Sequence, residues 1–199
     1  MKNISQEEII EKIKSGQIGV FPTDTLYAVS GSAFAKEAVR KIYEVKKRSR
    51  VKSLIILIGS IKDLDLFKIH PSEKENDILK KVWPGKVSVI FSFNEKSYDY
   101  LHCGTDSLAL RLPDDPWLRS FLKRSGPIVA PSANLEGFPP AKTIAEAREY
   151  FKESVDFYFD KGKLDSKPST IISLKNDRVT ILRAGGEEEV RLAKSLEQS

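Results

Sequence analysis

The sequence predicts one α/β domain built on a mixed β-sheet, and three observations carry the prediction. Short apolar runs of strand length alternate with amphipathic, capped segments of helix length. The last three strand-like segments follow one another without intervening helices, which calls for antiparallel as well as parallel pairing. The chain has 199 residues, 40% hydrophobic and 31% charged, ordinary values for one domain with its own core.

Each element has a local reason. Ser5 and Glu8 form a capping box, with Ile4 and Ile9 placed as its hydrophobic staple, and Gly16 suits the left-handed position that ends the helix. IGVF (18–21) reads as a strand stopped by Pro22. Residues 36–47 carry helical spacing at Val39, Ile42, Tyr43 and Lys46. LIILI (54–58) is a continuous apolar run and hence a buried strand. Ser72 and Glu75 cap a helix through Val82. VSVIFSF (87–93) puts Val87, Val89, Phe91 and Phe93 on one face, and LALRL (108–112) sets Leu108, Leu110 and Leu112 opposite Arg111. Asp115-Pro116 supplies an N-cap and a proline at the first helical position, Gly126 ends that helix, and PIVA (127–130) is the next strand. Thr143 and Glu146 cap a helix to about Lys152. DFYFD, TIISL and VTILR are the closing strands, ahead of an acidic-to-basic helix over 187–197.

Composition narrows the function. The single cysteine, Cys103, forms no internal disulfide, which favours a reducing compartment. No segment approaches the run of about 18 apolar residues that spans a bilayer, and the N-terminus lacks an apolar signal core, so the expectation is a cytoplasmic protein with no membrane association. A net charge of +5 fits either a lysine-rich solvated surface or an anionic partner, nucleotide or RNA. His70 and His102 are the only histidines, and no metal-ligand spacing, GxSxG elbow, GxxxxGK[ST] loop or GxGxxG follows any strand. A protein metal site, a serine hydrolase, a P-loop NTPase and a dinucleotide-binding Rossmann unit are therefore all unsupported.

What remains is a series of polar clusters beside predicted strands, where open α/β sheets bind ligands. PTDTLY (22–27) offers hydroxyls and a carboxylate, or a self-bonded turn. Lys46, Lys47, Arg48, Arg50 and Lys52 form a run able to neutralise a polyphosphate, beyond what a helix C-terminus alone would recruit. Arg111 either pairs at the surface or reaches into a cleft. APSAN (130–134) combines small residues with the Ser132 hydroxyl and the Asn134 amide, and KPST (167–170) and RAGG (183–186) flank strands.

Taken in order, these clusters resemble the YrdC family of threonylcarbamoyl-adenylate synthases. The resemblance runs from about residue 5 to 185 and rests on PTDTLY (22–27), IYEVKKR (42–48), WPG (83–85), LALRLP (108–113), APSAN (130–134), PST (168–170) and ILRAG (181–185). It implies a single YrdC-like domain over 1–199, with a large twisted mixed sheet around a positively charged cleft, and without the extra C-terminal domain of longer members. It also implies a nucleotidyltransferase that condenses L-threonine, bicarbonate and ATP into threonylcarbamoyl-AMP and pyrophosphate. Mg²⁺ would travel on the ATP, and a tRNA threonylcarbamoyl-transferase complex would act downstream. Direct binding of tRNA or double-stranded RNA is a further expectation.

By the same resemblance, Thr25, Tyr27, Arg111, Ala130 and Ser169 are the threonine subsite. Arg48, Lys52, Ser107, Ser132, Asn134 and Arg183 are the ATP subsite, and Lys46 and Arg48 supply charge to the transferring phosphate. The chain departs from the family pattern at Lys47, Ser49 and Ser53 in the basic loop, at Leu57 where some members carry histidine, at Pro139–Lys142, and at Asp160-Lys161-Gly162. Two other readings are a paralogue with different carbamoyl-adenylate specificity and an RNA-binding module.

Overall fold

A computed structural model describes residues 4–49 and 54–197. Helix α1 (Gln6–Lys14) begins as its sequence requires: the Ser5 hydroxyl accepts from the Glu8 amide at 3.2 Å, and the Glu8 carboxylate accepts from the Ser5 amide at 2.8 Å. Gly16 follows at φ +82. Strand β1 (Gly19–Pro22) turns through Thr23–Leu26 into β2 (Tyr27–Ser32), which leads to α2 (Lys36–Val45) and β3 (Ile55–Leu57). Helix α3 (Glu73–Val82) and β4 (Val87–Ser92) come next, then the one-turn α4 (Asp99–His102) and β5 (Ser107–Arg111). Helix α5 (Pro116–Ser125), β6 (Ile128–Val129), α6 (Ile144–Phe151) and β7 (Phe157–Tyr158) follow. The hairpin β8 (Thr170–Lys175) and β9 (Arg178–Arg183) and helix α7 (Glu187–Glu197) close the chain.

The nine strands form one mixed sheet in the order β7-β1-β2-β6-β3-β5-β4-β8-β9. β7 pairs parallel with β1, β3 with β5, and β4 with β8; the other five neighbours are antiparallel. Two sequence expectations need correction. Pro22 does not stop β1 but ends it from within, paired with Tyr27 and beyond the reach of β7, so its missing N–H leaves no ladder bond unmade. Strand β2 was not expected at all: YAVSGS is rich in small residues of low β-propensity, and its place in the sheet comes from tertiary packing. Gly31 shows that packing, since a Cβ there would meet Ile18 Cγ2 at 2.9 Å and Ala38 Cβ at 3.3 Å.

Strand alternation divides the core between two faces. Val20, Ile56, Leu110 and Val129 point into the larger cluster, with α2 and α3. Their neighbours Phe21, Leu57 and Ile128 point into a smaller one, closed by α1 and α5 through Ile9, Ile13, Leu118 and Phe121. In the register, Leu57 lies opposite Arg111, so Arg111 belongs to the second face. Helices α1 and α5 cover only part of that face, and the rest is open.

Candidate active site

The open part of the second face is a cleft of about 170 Å³, lined by residues from β2, β3, β5 and β9, from the loops before β2 and β8, and from the segment after β6. Its volume falls below the roughly 300–1,000 Å³ of pockets that enclose drug-sized ligands, so it fits one small polar molecule or the end of a longer one.

Arg111 forms the floor. Only 3% of it is exposed, and its Nη1 donates to both oxygens of Asp24, at 2.6 and 2.7 Å. The two side chains are 4% and 6% exposed. Burying a guanidinium demands such a partner. The Arg111 Nε, equally buried, has no hydrogen-bond partner among the described residues.

Asp24 and Thr23 come from the β1–β2 turn, which explains why they stand there. Thr23 Oγ1 donates to the Leu26 carbonyl at 2.7 Å and accepts from the Thr25 and Leu26 amides, closing the turn on itself. Thr23 thus has the turn role, while Thr25, 3.1 Å from it, lines the cleft. On the opposite wall the Ser169 hydroxyl is 2.9 Å from that of Ser88, a residue fully buried on the Arg111 side of β4. Arg183 donates to the Ser169 carbonyl at 2.7 and 3.2 Å. Burial, with the charges of Arg111 and Arg48, holds the Arg183 pKa below its usual range.

Of the residues expected at the site, Thr25, Tyr27, Arg111, Ala130, Ser132, Ser169 and Arg183 all line this cleft. The Tyr27 hydroxyl is committed elsewhere: it donates to the Gly162 carbonyl at 2.7 Å and accepts from the Lys161 amide at 2.9 Å, and burial raises its pKa. Tyr27 therefore pins the 160–162 loop instead of offering its hydroxyl to a ligand. Asn134 is likewise occupied, accepting from the Ser132 hydroxyl at 2.6 Å and donating to the Leu135 and Phe138 carbonyls. Lys46 is 1% exposed and lies behind the wall, donating to the carbonyls of Ser132 and Asn134, so its charge does not face the cleft.

Arg48 lies just beyond α2 and does not line the cleft itself. Ser107 shares the Arg111 face but is four residues up β5, about 13 Å away. Lys52 lies outside the described residues. Sequence reasoning missed Ser88 and named Asp24, Pro140 and Pro168 within motifs without giving them a place in the site. A signal existed for Ser88: it stands opposite the apolar face of its strand, as Arg111 does on β5. No group of His, Cys, Asp and Glu among the described residues could hold a metal ion.

The fold is a mixed-sheet α/β protein with a small hydroxyl-lined cleft over a buried, Asp24-paired arginine. Its relatives agree: the Sua5/YciO/YrdC family, described as Telomere recombination, matches residues 11–185, and the chain belongs to that family. It is 31% identical over 180 residues to a Methanocaldococcus jannaschii relative, covering 90% of this chain and 84% of the other. It is 32% identical over 183 residues to the Bacillus subtilis threonylcarbamoyl-AMP synthase, covering 87% of this chain and 51% of that protein, about half its length. Pyrococcus abyssi Sua5, solved in complex with L-threonine, superimposes with a TM-score of 0.85 at 29% identity, over 96% of this chain and 58% of the other.

Proposed function

We propose that this chain is an L-threonylcarbamoyladenylate synthase, converting L-threonine, bicarbonate and ATP to threonylcarbamoyl-AMP and pyrophosphate for threonylcarbamoyladenosine modification of tRNA. The observation that carries the reading is the buried Arg111, paired with Asp24, in a cleft lined also by Thr25, Ala130 and Ser169. A guanidinium in the lining suits an amino-acid carboxylate, while hydroxyl and backbone oxygens suit the polar side chain and the amine. Family membership and the threonine complex of the Pyrococcus relative support the same assignment.

The chemistry asks little of protein nucleophiles. The threonine amine attacks bicarbonate, and loss of water leaves an N-carboxylate. A carboxylate oxygen then attacks the ATP α-phosphorus, and the α–β bridging oxygen leaves with pyrophosphate. Such a transfer depends on alignment and on stabilising phosphate charge. Arg183, Arg48 and the Ser132 hydroxyl, with Ser107 further out, are the groups to hold the nucleotide, and Lys52 is assigned to it by the family motif alone. Mg²⁺ would be carried on the polyphosphate, for want of a ligand cluster among the described residues. No histidine lines the cleft, in keeping with a reaction that needs no imidazole base. No helix is long and apolar enough to cross a membrane among the described residues, and we place the enzyme in the cytoplasm, upstream of a tRNA threonylcarbamoyl-transferase.

The test is pyrophosphate release from ATP and Mg²⁺ by the purified chain, with and without L-threonine and bicarbonate. Release that requires both, with the adenylate identified by mass spectrometry, is the expected result. Release with a different carbamoyl source would make the chain a paralogue of other specificity, and absence of ATP binding would refute the reading.

A further inference from the structure

Ser88 is a polar residue in a place suited to an apolar one. It lies on β4, between β5 and β8 in the sheet, and is fully buried. Its neighbours Val87 and Val89 point into the larger core cluster, while Ser88 points to the opposite face. Continuing the register one step beyond the Val89–Leu110 pair sets it beside Arg111. Ser88 belongs to none of the motifs that carry the family resemblance. Burying a hydroxyl is costly unless a hydrogen bond satisfies it, so the position calls for a reason. The Ser169 hydroxyl, at 2.9 Å, is the one partner of Ser88 Oγ among the described residues. Ser169 Oγ has a second partner, Arg183 Nη2 at 3.2 Å. Together these groups dictate where the protons go. A guanidinium only donates, so Ser169 accepts from Arg183. Were Ser169 also to donate to Ser88, the Ser88 proton would be buried without an acceptor, at the full desolvation cost of that group. In the other arrangement Ser88 donates to Ser169 and both lone pairs of Ser169 are filled. The Ser169 proton is then left for an acceptor in the cleft that it lines.

We infer that Ser88 is a positioning residue for the amino-acid substrate, whose hydroxyl fixes that of Ser169 as a donor into the cleft. With Arg111 and Arg183 in the same lining, the acceptor met there is a carboxylate oxygen of the substrate and not its ammonium group. Ser88 itself touches no ligand. Arg183 also donates twice to the Ser169 carbonyl, at 2.7 and 3.2 Å, and neither bond involves the Ser88 hydroxyl, so the nucleotide side of the site is held independently of it. The inference rests on the proposed binding of L-threonine in this cleft, and it adds the sense of one hydrogen bond and the buried group that sets it.

The experiment is equilibrium binding of L-threonine and, separately, of ATP to the wild-type chain and to S88A, S88V and S88T, each variant being judged where its circular dichroism is native. Val and Thr have the same shape and differ only in the hydroxyl, so comparing them removes packing from the result. Where that larger pair does not fold, wild type against S88A decides. L-threonine is expected to bind about 2- to 13-fold more weakly to S88A than to wild type, and to S88V than to S88T, the range for one neutral hydrogen bond, while ATP affinity stays within about twofold. Equal L-threonine affinity within either pair would overturn the inference. Tighter binding to S88A would overturn it too, since Ser169 would then have been donating to Ser88. A parallel loss of both ligands would do the same, by reducing Ser88 to a packing role. A wild-type chain that bound no L-threonine would instead refute the functional reading beneath it.

Discussion

At the scale of single residues, the turn after α2 sets two side chains in costly states. Lys47 adopts φ +49, a left-handed conformation, and the adjoining hydrogen bonds, Arg48 N–H to Tyr43 O and Lys47 N–H to Glu44 O, are those of a glycine-type helix end. A left-handed conformation costs a residue with a Cβ about 1–2 kcal/mol, and part of that is returned as lost backbone entropy when glycine replaces it. Lys47→Gly is therefore expected to raise stability by about 0.5–1 kcal/mol, seen as a rise of about 1–4 °C in the unfolding midpoint. Lys46 makes an opposite kind of statement. Its folded pKa of about 7 lies below that of an unfolded lysine, so the unfolded chain holds the proton more tightly. Its contribution to stability therefore rises with pH from about 7 up to the ordinary lysine range, with a slope of at most about 1.4 kcal/mol per pH unit. Denaturant titrations of wild type and K46M across that window should show the difference shifting towards wild type as pH increases. Arg48 and Glu136 are the charged groups that face Lys46.

At the scale of elements, what was legible were segments whose signal is local. The capping boxes at Ser5 and Ser72 form as the spacing predicts, and Asp115 caps α5 by accepting from Leu118 at 3.0 Å. β2 was not legible, because Ala28, Ser30, Gly31 and Ser32 carry no strand signal and are chosen for close approach to neighbours. Gly185 makes the same point at the site. Its amide donates to Thr170 Oγ1 at 3.1 Å, and an added Cβ would collide with the backbone of Pro168, Ser169 and Thr170. That contact fastens the end of β9, and with it Arg183, to the segment carrying Ser169. Gly185→Ala is expected to push these segments apart and lower both stability and ATP affinity. Chemical denaturation together with nucleotide titration checks this, and a variant unchanged in both would contradict the assigned packing.

At the scale of the whole molecule, the cleft exists because α1 and α5 cover one stretch of the second sheet face and leave the rest open. Ligand binding should therefore be read as stabilisation of the entire fold. L-threonine at a hundredfold excess over its Kd is expected to add about 2.7 kcal/mol, observed as a rise in unfolding temperature that Arg111→Ala abolishes. The sequence alone determined the α/β class, the mixed sheet, most helix starts and the set of polar clusters, because alternation, caps and turn residues act over a few positions. Only the tertiary structure decided what each cluster does. Arg111 is read differently once Asp24, 87 residues away, is seen against it. Lys46, the apparent phosphate ligand, turns inward to carbonyls 86 and 88 residues on. The physical reason is that a buried charge takes its role from whichever partner desolvates and satisfies it, and that partner is chosen by sheet order, which no local pattern encodes.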